Sequence, residues 1–170
     1  DRLRSRGLGD VYKRQSLSRI YDGKFVPLHA PARVSSRNIR DELLKEDSLL
    51  PAIYLTQKLD IAVVGIGYPN EKSAIMATGY FKENEIESLI DRKVAGELCM
   101  QFYDIYGDTA PYKDDNNVIG MDISMLRSVP SSIGIAGGVE KLRAVRGAIN
   151  GHYINTLITD IECAEALISE

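Results

Sequence analysis

A chain of 170 residues and 18.8 kDa suffices for one domain and not comfortably for two. Hydrophobic residues make up 44% and charged residues 26%, a balance that excludes disorder, collagen and a disulfide scaffold. The net charge is -3, but residues 1–15 hold five cations and two acids, which leaves 16 cations against 22 acids in the rest, and so acidic a body does not read as a nucleic-acid surface.

In chain order the basic head comes first. The stretch GDVYKRQ, residues 9–15, back-translates to a string containing AGATGTGTATAAGAGACAG, which resembles the transposase mosaic-end adapter used to tag DNA libraries. Residues 1–15 are therefore expected to be adapter-derived read-through that packs against nothing. Residues 16–170 are expected to be an incomplete piece of a longer frame.

Residues 24–30 (KFVPLHA) read as a short extended run, limited by Pro27. Ser35 or Ser36 can cap a helix through SRNIRDELL, where Ile39, Leu43 and Leu44 recur at helical spacing. Residues 49–59 read as a second helix, with Pro51 tolerated near its start. The run IAVVGIG, residues 61–67, is continuously apolar, ends in glycines and predicts a parallel strand buried on both faces. A turn at residues 68–70 and helical stretches at 73–78 and 83–92 follow. Residues 94–104 (VAGELCMQFYD) read as one extended run, closed by a turn at Gly107 and Asp108, and residues 118–121 as a shorter one. Residues 124–128 predict a helical turn stopped by Pro130, and residues 132–136 (SIGIA) a strand. Residues 139–150 are amphipathic, with Val139, Leu142, Val145 and Ile149 on one face, and Gly151 ends the helix. Residues 153–158 read as a strand and 162–168 as a helix capped by Asp160. This β-α-β-α close predicts right-handed parallel crossovers. The expected fold is α/β: a Rossmann-like, mostly parallel, incomplete sheet with flanking helices, in which IAVVG, SIGIA and YINTLIT are parallel neighbours or near-neighbours. Loss of the first strands would expose an apolar sheet edge and face, so the isolated fragment is expected to be poorly stable and to self-associate.

Four clusters, HAPARVSS, VGIG, AGGVEK and LITD, fall at the carboxyl ends of predicted strands, where open α/β sheets bind ligands. Gly137 and Gly138 sit at a strand-to-helix junction, where a ligand can approach backbone N–H groups. Lys141 falls in the first helical turn. The helix dipole disfavours a cation there, and a bound phosphate or carboxylate would reverse the penalty. A tight turn with a solvated lysine explains the same residues equally well. Gly65 and Gly67 do not complete a dinucleotide pattern, because position 70 is Asn, and no GxxxxGK[ST] loop is present. On their own they read as a strand end with a bulge. Glu97 and Asp104 could accept sugar hydroxyls from one extended run, or simply edge a solvated strand. Thr159 and Asp160 could touch a ligand, although a plain helix cap is the first reading of Asp160. His29 and His152 read as surface or turn residues. Cys99 and Cys163 are too few for a disulfide framework and fit a reducing cytoplasm. Two histidines without a CxxC give no zinc pattern, and no run approaches the eighteen apolar residues of a membrane span. No cofactor is expected.

Taken together, HAPARVSS, DIAVVGIG, GELCMQFYD, VIGM, LRSVPSSIGIAGGVEKLRAVRGAINGHYINTLITD and AEAL resemble the C-terminal effector domain of SorC-type (DeoR-like) bacterial transcriptional regulators. The resemblance covers essentially all of residues 16–170, and AGGVEKLRAV followed by GHYINTLITD is its most specific part. It implies a non-catalytic sensor of phosphorylated sugars, similar in fold to glucosamine-phosphate isomerases and CoA transferases. It also implies a homo-oligomer whose effector alters its affinity for operator DNA. DNA would be met only through a helix-turn-helix upstream of Ser16. Glu97 and Lys141 match the family's effector-contacting positions, and Gly137, Gly138, Gly65, Gly67 and Asp104 complete the candidate set. Ile161 departs from the polar residue the family often carries after the Thr-Asp pair. Two other classes remain open on the residues alone. One is a sugar-phosphate isomerase or deaminase on the same fold, which would need a base and a ring-opening acid that no Asp/His constellation supplies. The other is an oligomerisation module with no small ligand.

Overall fold

The computed structural model describes residues 15–70, 73, 75 and 78–169; of the adapter-like head only Gln15 falls among them. Helix α1 (Arg37–Leu43) starts where the Ser36 side chain accepts the Ile39 N–H, the cap expected from the sequence. Helix α2 (Leu50–Thr56) carries Pro51 in its first turn, where the missing N–H costs nothing. Strand β1 (Ile61–Gly67) follows, then helix α3 (Glu83–Asp91) and two short strands, β2 (Gly96–Leu98) and β3 (Gln101–Tyr103). Strand β4 (Ser131–Ile135) leads through a 3-10 turn (Val139–Lys141) into helix α4 (Leu142–Asn150), strand β5 (Thr156–Ile158) and helix α5 (Ile161–Ile168). The sheet order is β3-β2-β1-β4-β5. Strands β1, β4 and β5 are parallel, with Val63 beside Ile133 and Ile133 beside Thr156, as the buried runs and helical connectors predicted. Strands β2 and β3 extend the other side of β1 antiparallel.

Several expectations from the sequence are corrected. Residues 24–30 form no strand, and residues 118–121 contribute only an isolated bridge between Val118 and Arg33. The 94–104 run is a hairpin rather than one strand. It turns at Cys99 and Met100, both in the left-handed region at φ 53° and 62°, a conformation that usually calls for Asn-Gly. The Glu97 carboxylate supports the turn by accepting the Met100 N–H at 2.9 Å. Helix α4 buries Ala144, Val145, Gly147 and Ala148, while Val139 and Ile149 are exposed. Small residues win because Tyr103 and β2 press directly against this helix. Of the predicted helical stretch at 73–78, residues 74, 76 and 77 lie outside the described residues.

β1 is not buried on both faces. Ala62 and Ile66 enter the main core with Leu98, Tyr103, Val145 and Tyr153. The alternate residues Ile61 and Val63 are 61% and 62% exposed, and Ile135 and Ile158 on the neighbouring strands are 44% and 54% exposed. Among the described residues, α4 covers one face of the sheet and nothing covers this apolar one. A second cluster (Phe81, Ile86, Leu89, Val94, Phe102, Tyr112) joins α3 to the hairpin. The HAPARVSS segment is tied to it through Arg33, whose guanidinium lies 4.2 Å from the Phe81 ring centroid and pairs with Glu85 at 2.8 Å. That segment is a structural clamp and does not stand at a strand's carboxyl end, whereas VGIG, AGGVEK and LITD do.

Candidate functional site

A cleft of about 340 Å³ opens at the carboxyl ends of β1 and β4, lined by Gly67, Tyr68, Asn70, Ser73, Glu97, Glu140 and Lys141, with Ile75. Its geometry follows from one close approach. At Gly96 a Cβ would stand 2.6 Å from both Ala144 Cβ and the Tyr103 hydroxyl oxygen. Only glycine lets α4 lie this tightly on β2, and the contact is fastened by the Tyr103 hydroxyl donating to the Ala144 carbonyl at 3.0 Å. Lys141, one residue before α4, and Glu97, one residue after Gly96, are thereby brought to the same cleft.

Glu97 is half-buried. Burial pushes its carboxyl up from the ordinary value, against the opposing pull of the Met100 N–H and the charge of Lys141. Burial and the Glu97 charge together raise Tyr103 beneath it. Glu97 and Lys141 form no ion pair with each other, so each keeps hydrogen-bonding capacity toward the cleft. Gly67 is paired with Glu97 across β1 and β2, and a Cβ there would collide with the Glu97 carboxylate.

The glycine pair is held differently from expectation. Gly138, at φ 96°, does not offer a free N–H to a ligand, because it donates to Asp160 Oδ2 at 2.5 Å. Asp160 Oδ1 accepts the Cys163 N–H at 2.8 Å. Asp160 is therefore both the cap of α5 and a latch on the loop before α4, and these two N–H donors hold its carboxyl below the ordinary value. Gly137 lies against the same carboxylate.

The structure thus brings Gly67, Glu97 and Lys141 together, with Gly137 and Gly138 shaping the loop that carries Lys141. Gly65 sits on the exposed sheet face, where an added Cβ would meet no atom within 4 Å. Asp104 stands beyond the hairpin, where Oδ1 accepts the N–H groups of Tyr106 and Asp108 at 2.9 Å each; it organises that turn and does not line the cleft. Tyr68, Asn70, Ser73 and Glu140 line it without having been singled out. The signal for the first two was their place directly after the glycine-ended strand. Among the described residues no His/Cys/Asp/Glu group could hold a metal ion, and no helix is long and apolar enough to cross a membrane.

Residues 11–169 match the family described as "Putative sugar-binding domain". The chain belongs to this family, the sugar-binding domains of SorC/DeoR-type transcriptional regulators. It is 33% identical over 138 residues to the sorbitol operon regulator of Klebsiella pneumoniae, covering 81% of this chain and 44% of that protein. The crystal structure of that full-length regulator superposes with a TM-score of 0.75 over 86% of this chain and 48% of its own. The transcriptional regulator LsrR of Escherichia coli K12 is 36% identical over 142 residues, covering 82% of this chain and 45% of LsrR. A sugar-binding domain of a transcriptional repressor from Vibrio fischeri is 27% identical with a TM-score of 0.78, covering 91% of this chain and 62% of that one. The chain spans a little under half the length of the curated relatives. The solved sugar-binding domains of this family share the α/β sheet and helix arrangement described above.

Proposed function

We propose that this domain senses a phosphorylated sugar, without turnover, for a DNA-binding regulator. The observation that carries this reading is a half-buried carboxylate, Glu97, and a lysine, Lys141, that line one cleft at the carboxyl ends of parallel strands without pairing with each other. The lysine and the first N–H groups of the 3-10 turn suit an anionic group. Glu97 and Glu140 suit hydroxyls, as acceptors. Burial favours the neutral form of Glu97, which lessens the negative charge an anionic ligand meets on entry. Sugar hydroxyls are ordinary partners for such carboxylates, and the names of the relatives, a sorbitol operon regulator among them, support a sugar-derived effector. In a full-length protein the ligand's binding free energy would shift operator affinity by its difference between the two states.

The test is a thermal-shift and calorimetric panel of phosphorylated sugars against the matching free sugars. A phosphosugar is expected to bind tightest, and Lys141→Ala to weaken it by about tenfold or more. The recovered ligand should be chemically unchanged by chromatography. Preference for the free sugar, or equal binding by Lys141→Ala, would overturn the reading, and conversion of the ligand would favour an enzyme.

A further inference from the structure

We propose that Asp160 is a positioning residue for Lys141: its carboxylate fastens the turn that carries the lysine, and so sets the affinity of the cleft for an anionic ligand. The proposal rests on the reading of that cleft as a phosphosugar site.

The turn that delivers Lys141 is not held by packing. None of Val139, Glu140 and Lys141 is buried, and Val139 is 53% exposed. Its anchorage is a relay of hydrogen bonds. Just past β4, the Ala136 N–H donates to the Ile158 carbonyl at 3.1 Å. Two residues later the Gly138 N–H donates to Asp160 Oδ2 at 2.5 Å. The Gly138 carbonyl in turn accepts the Lys141 N–H at 3.1 Å. A single residue, Gly138, thus links the carboxylate to the lysine's own backbone.

The other end of the relay is fixed. Asp160 Oδ1 accepts the Cys163 N–H at 2.8 Å, and Cys163 is wholly buried in the main core with Ala136, Ala144 and Val145. The carboxylate therefore bridges a core-anchored helix start to an exposed turn. Both glycines serve this approach. A Cβ on Gly137 would stand 2.8 Å from Asp160 Oδ2, and Gly138 lies at φ 96°, where side chains are strained. Helix α4 fixes Lys141 from its far side through Gly96 and Ala144, and Asp160 fixes it from the near side. Without the carboxylate, ligand binding would bear the entropy of ordering the turn.

The test separates the two halves of the carboxylate. Asn caps a helix as well as Asp does, but it has one acceptor oxygen. In Asp160→Asn that oxygen keeps the Cys163 N–H, and the amide NH2 faces the Gly138 N–H, donor against donor. Amide hydrogen exchange on the full chain should quicken about fivefold or more at Gly138 and Lys141, with Cys163 and the unfolding midpoint unchanged. Calorimetry uses sorbitol 6-phosphate, the phosphorylated form of the sugar alcohol in a relative's name, and inorganic phosphate. Asp160→Asn should weaken binding about fivefold or more. In a chain that already carries Lys141→Ala, it should weaken binding no further, a coupling that a merely structural role would not produce. Equal loss with and without the lysine, or unchanged exchange at Gly138, would overturn the proposal. Binding that Lys141→Ala weakens and Asp160→Asn does not would overturn it as well, and would leave the sugar reading in place. A parent chain that binds neither probe fails the sugar reading and removes the positioning role with it; quickened exchange at Gly138 would then mark Asp160 as a structural latch only.

Discussion

Glu97 bears two duties that oppose each other. It caps a strained hairpin turn through the Met100 N–H, and it is held in surroundings that disfavour its charge. A carboxyl raised in the folded state keeps its proton longer than in the unfolded chain. Its contribution therefore leaves stability untouched below the unfolded value, and diminishes stability as pH rises from there through the folded value. Glu97→Gln retains an acceptor for Met100 and removes the charge. It should raise the unfolding midpoint at pH 7 and flatten the stability profile over that acidic-to-neutral range, while weakening ligand binding by about 10- to 100-fold. Urea titrations at several pH values check the first effect and calorimetry the second; a variant less stable at pH 7 than the parent would contradict the account. The neighbouring thiol is a simpler case. Burial, with the Glu97 charge, pushes Cys99 up to about 11, so only about one part in a thousand is thiolate at pH 8. Thiol titration of the folded chain at pH 8 should be slow at Cys99 and at the buried Cys163, and fast for both in denaturant. Rapid labelling of folded Cys99 would refute this.

At the scale of elements, the sheet and helix α4 meet through glycine. Gly96→Ala would drive a methyl into Ala144 and Tyr103, and overpacking of this kind costs about 1–3 kcal/mol. It should also spread Lys141 from Glu97, so that ligand affinity falls even where the variant remains folded. Gly65→Ala is the contrast, since its surroundings are open; its stability should stay within about 0.5 kcal/mol of the parent in denaturant titrations. Equal effects of the two substitutions would argue against the close approach as the device that assembles the cleft. The β4-α4-β5-α5 order was legible in the sequence because each piece carries a local signal: an apolar run, glycine at the helix end, and Asp160 as a cap. The hairpin was not, since Cys99 and Met100 lack turn chemistry of their own and rely on the Glu97 carboxylate three residues before Met100, a support that no turn pattern marks. The buried stripe of α4 was misplaced for a related reason. Hydrophobic periodicity marks Val139 and Ile149, yet a helix packed this closely needs Ala and Gly on its inner face. Position in the predicted elements singled out Glu97 and Lys141 but left a plain structural role equally open, and the resemblance to a known family decided between the two, while Asp104 joined the candidate set only because the hairpin was read as one strand.

On the whole molecule, the uncovered sheet face dominates. Ile61 and Val63 of β1, Ile135 of β4 and Ile158 of β5 point the same way as the half-buried Ile133, which makes a contiguous apolar patch on a surface that otherwise carries an excess of acids. Such a patch drives association in proportion to the area it removes from water. Full burial of a Val or Ile side chain is worth about 1.5–3 kcal/mol, and these side chains are already partly covered, so two facing patches gain roughly 6–12 kcal/mol. The loss of translational and rotational freedom opposes this with about 4–15 kcal/mol. The most favourable difference, about 8 kcal/mol, limits self-association to micromolar at the tightest, and the expected regime is therefore weak, about micromolar to millimolar. Sedimentation equilibrium of residues 1–170 should therefore show a reversible, concentration-dependent increase in mass. Replacing Val63 and Ile135 by threonine keeps β-branching on the strands and changes only exposed positions, so the monomer should unfold within about 0.5 kcal/mol of the parent for each substitution. Association of the doubly substituted chain should weaken by about tenfold or more, because the loss is counted on both copies. A chain that stays monomeric at about 1 mM, the weak end of that range, or that associates equally with and without the threonines, would show that this face is not what brings copies together.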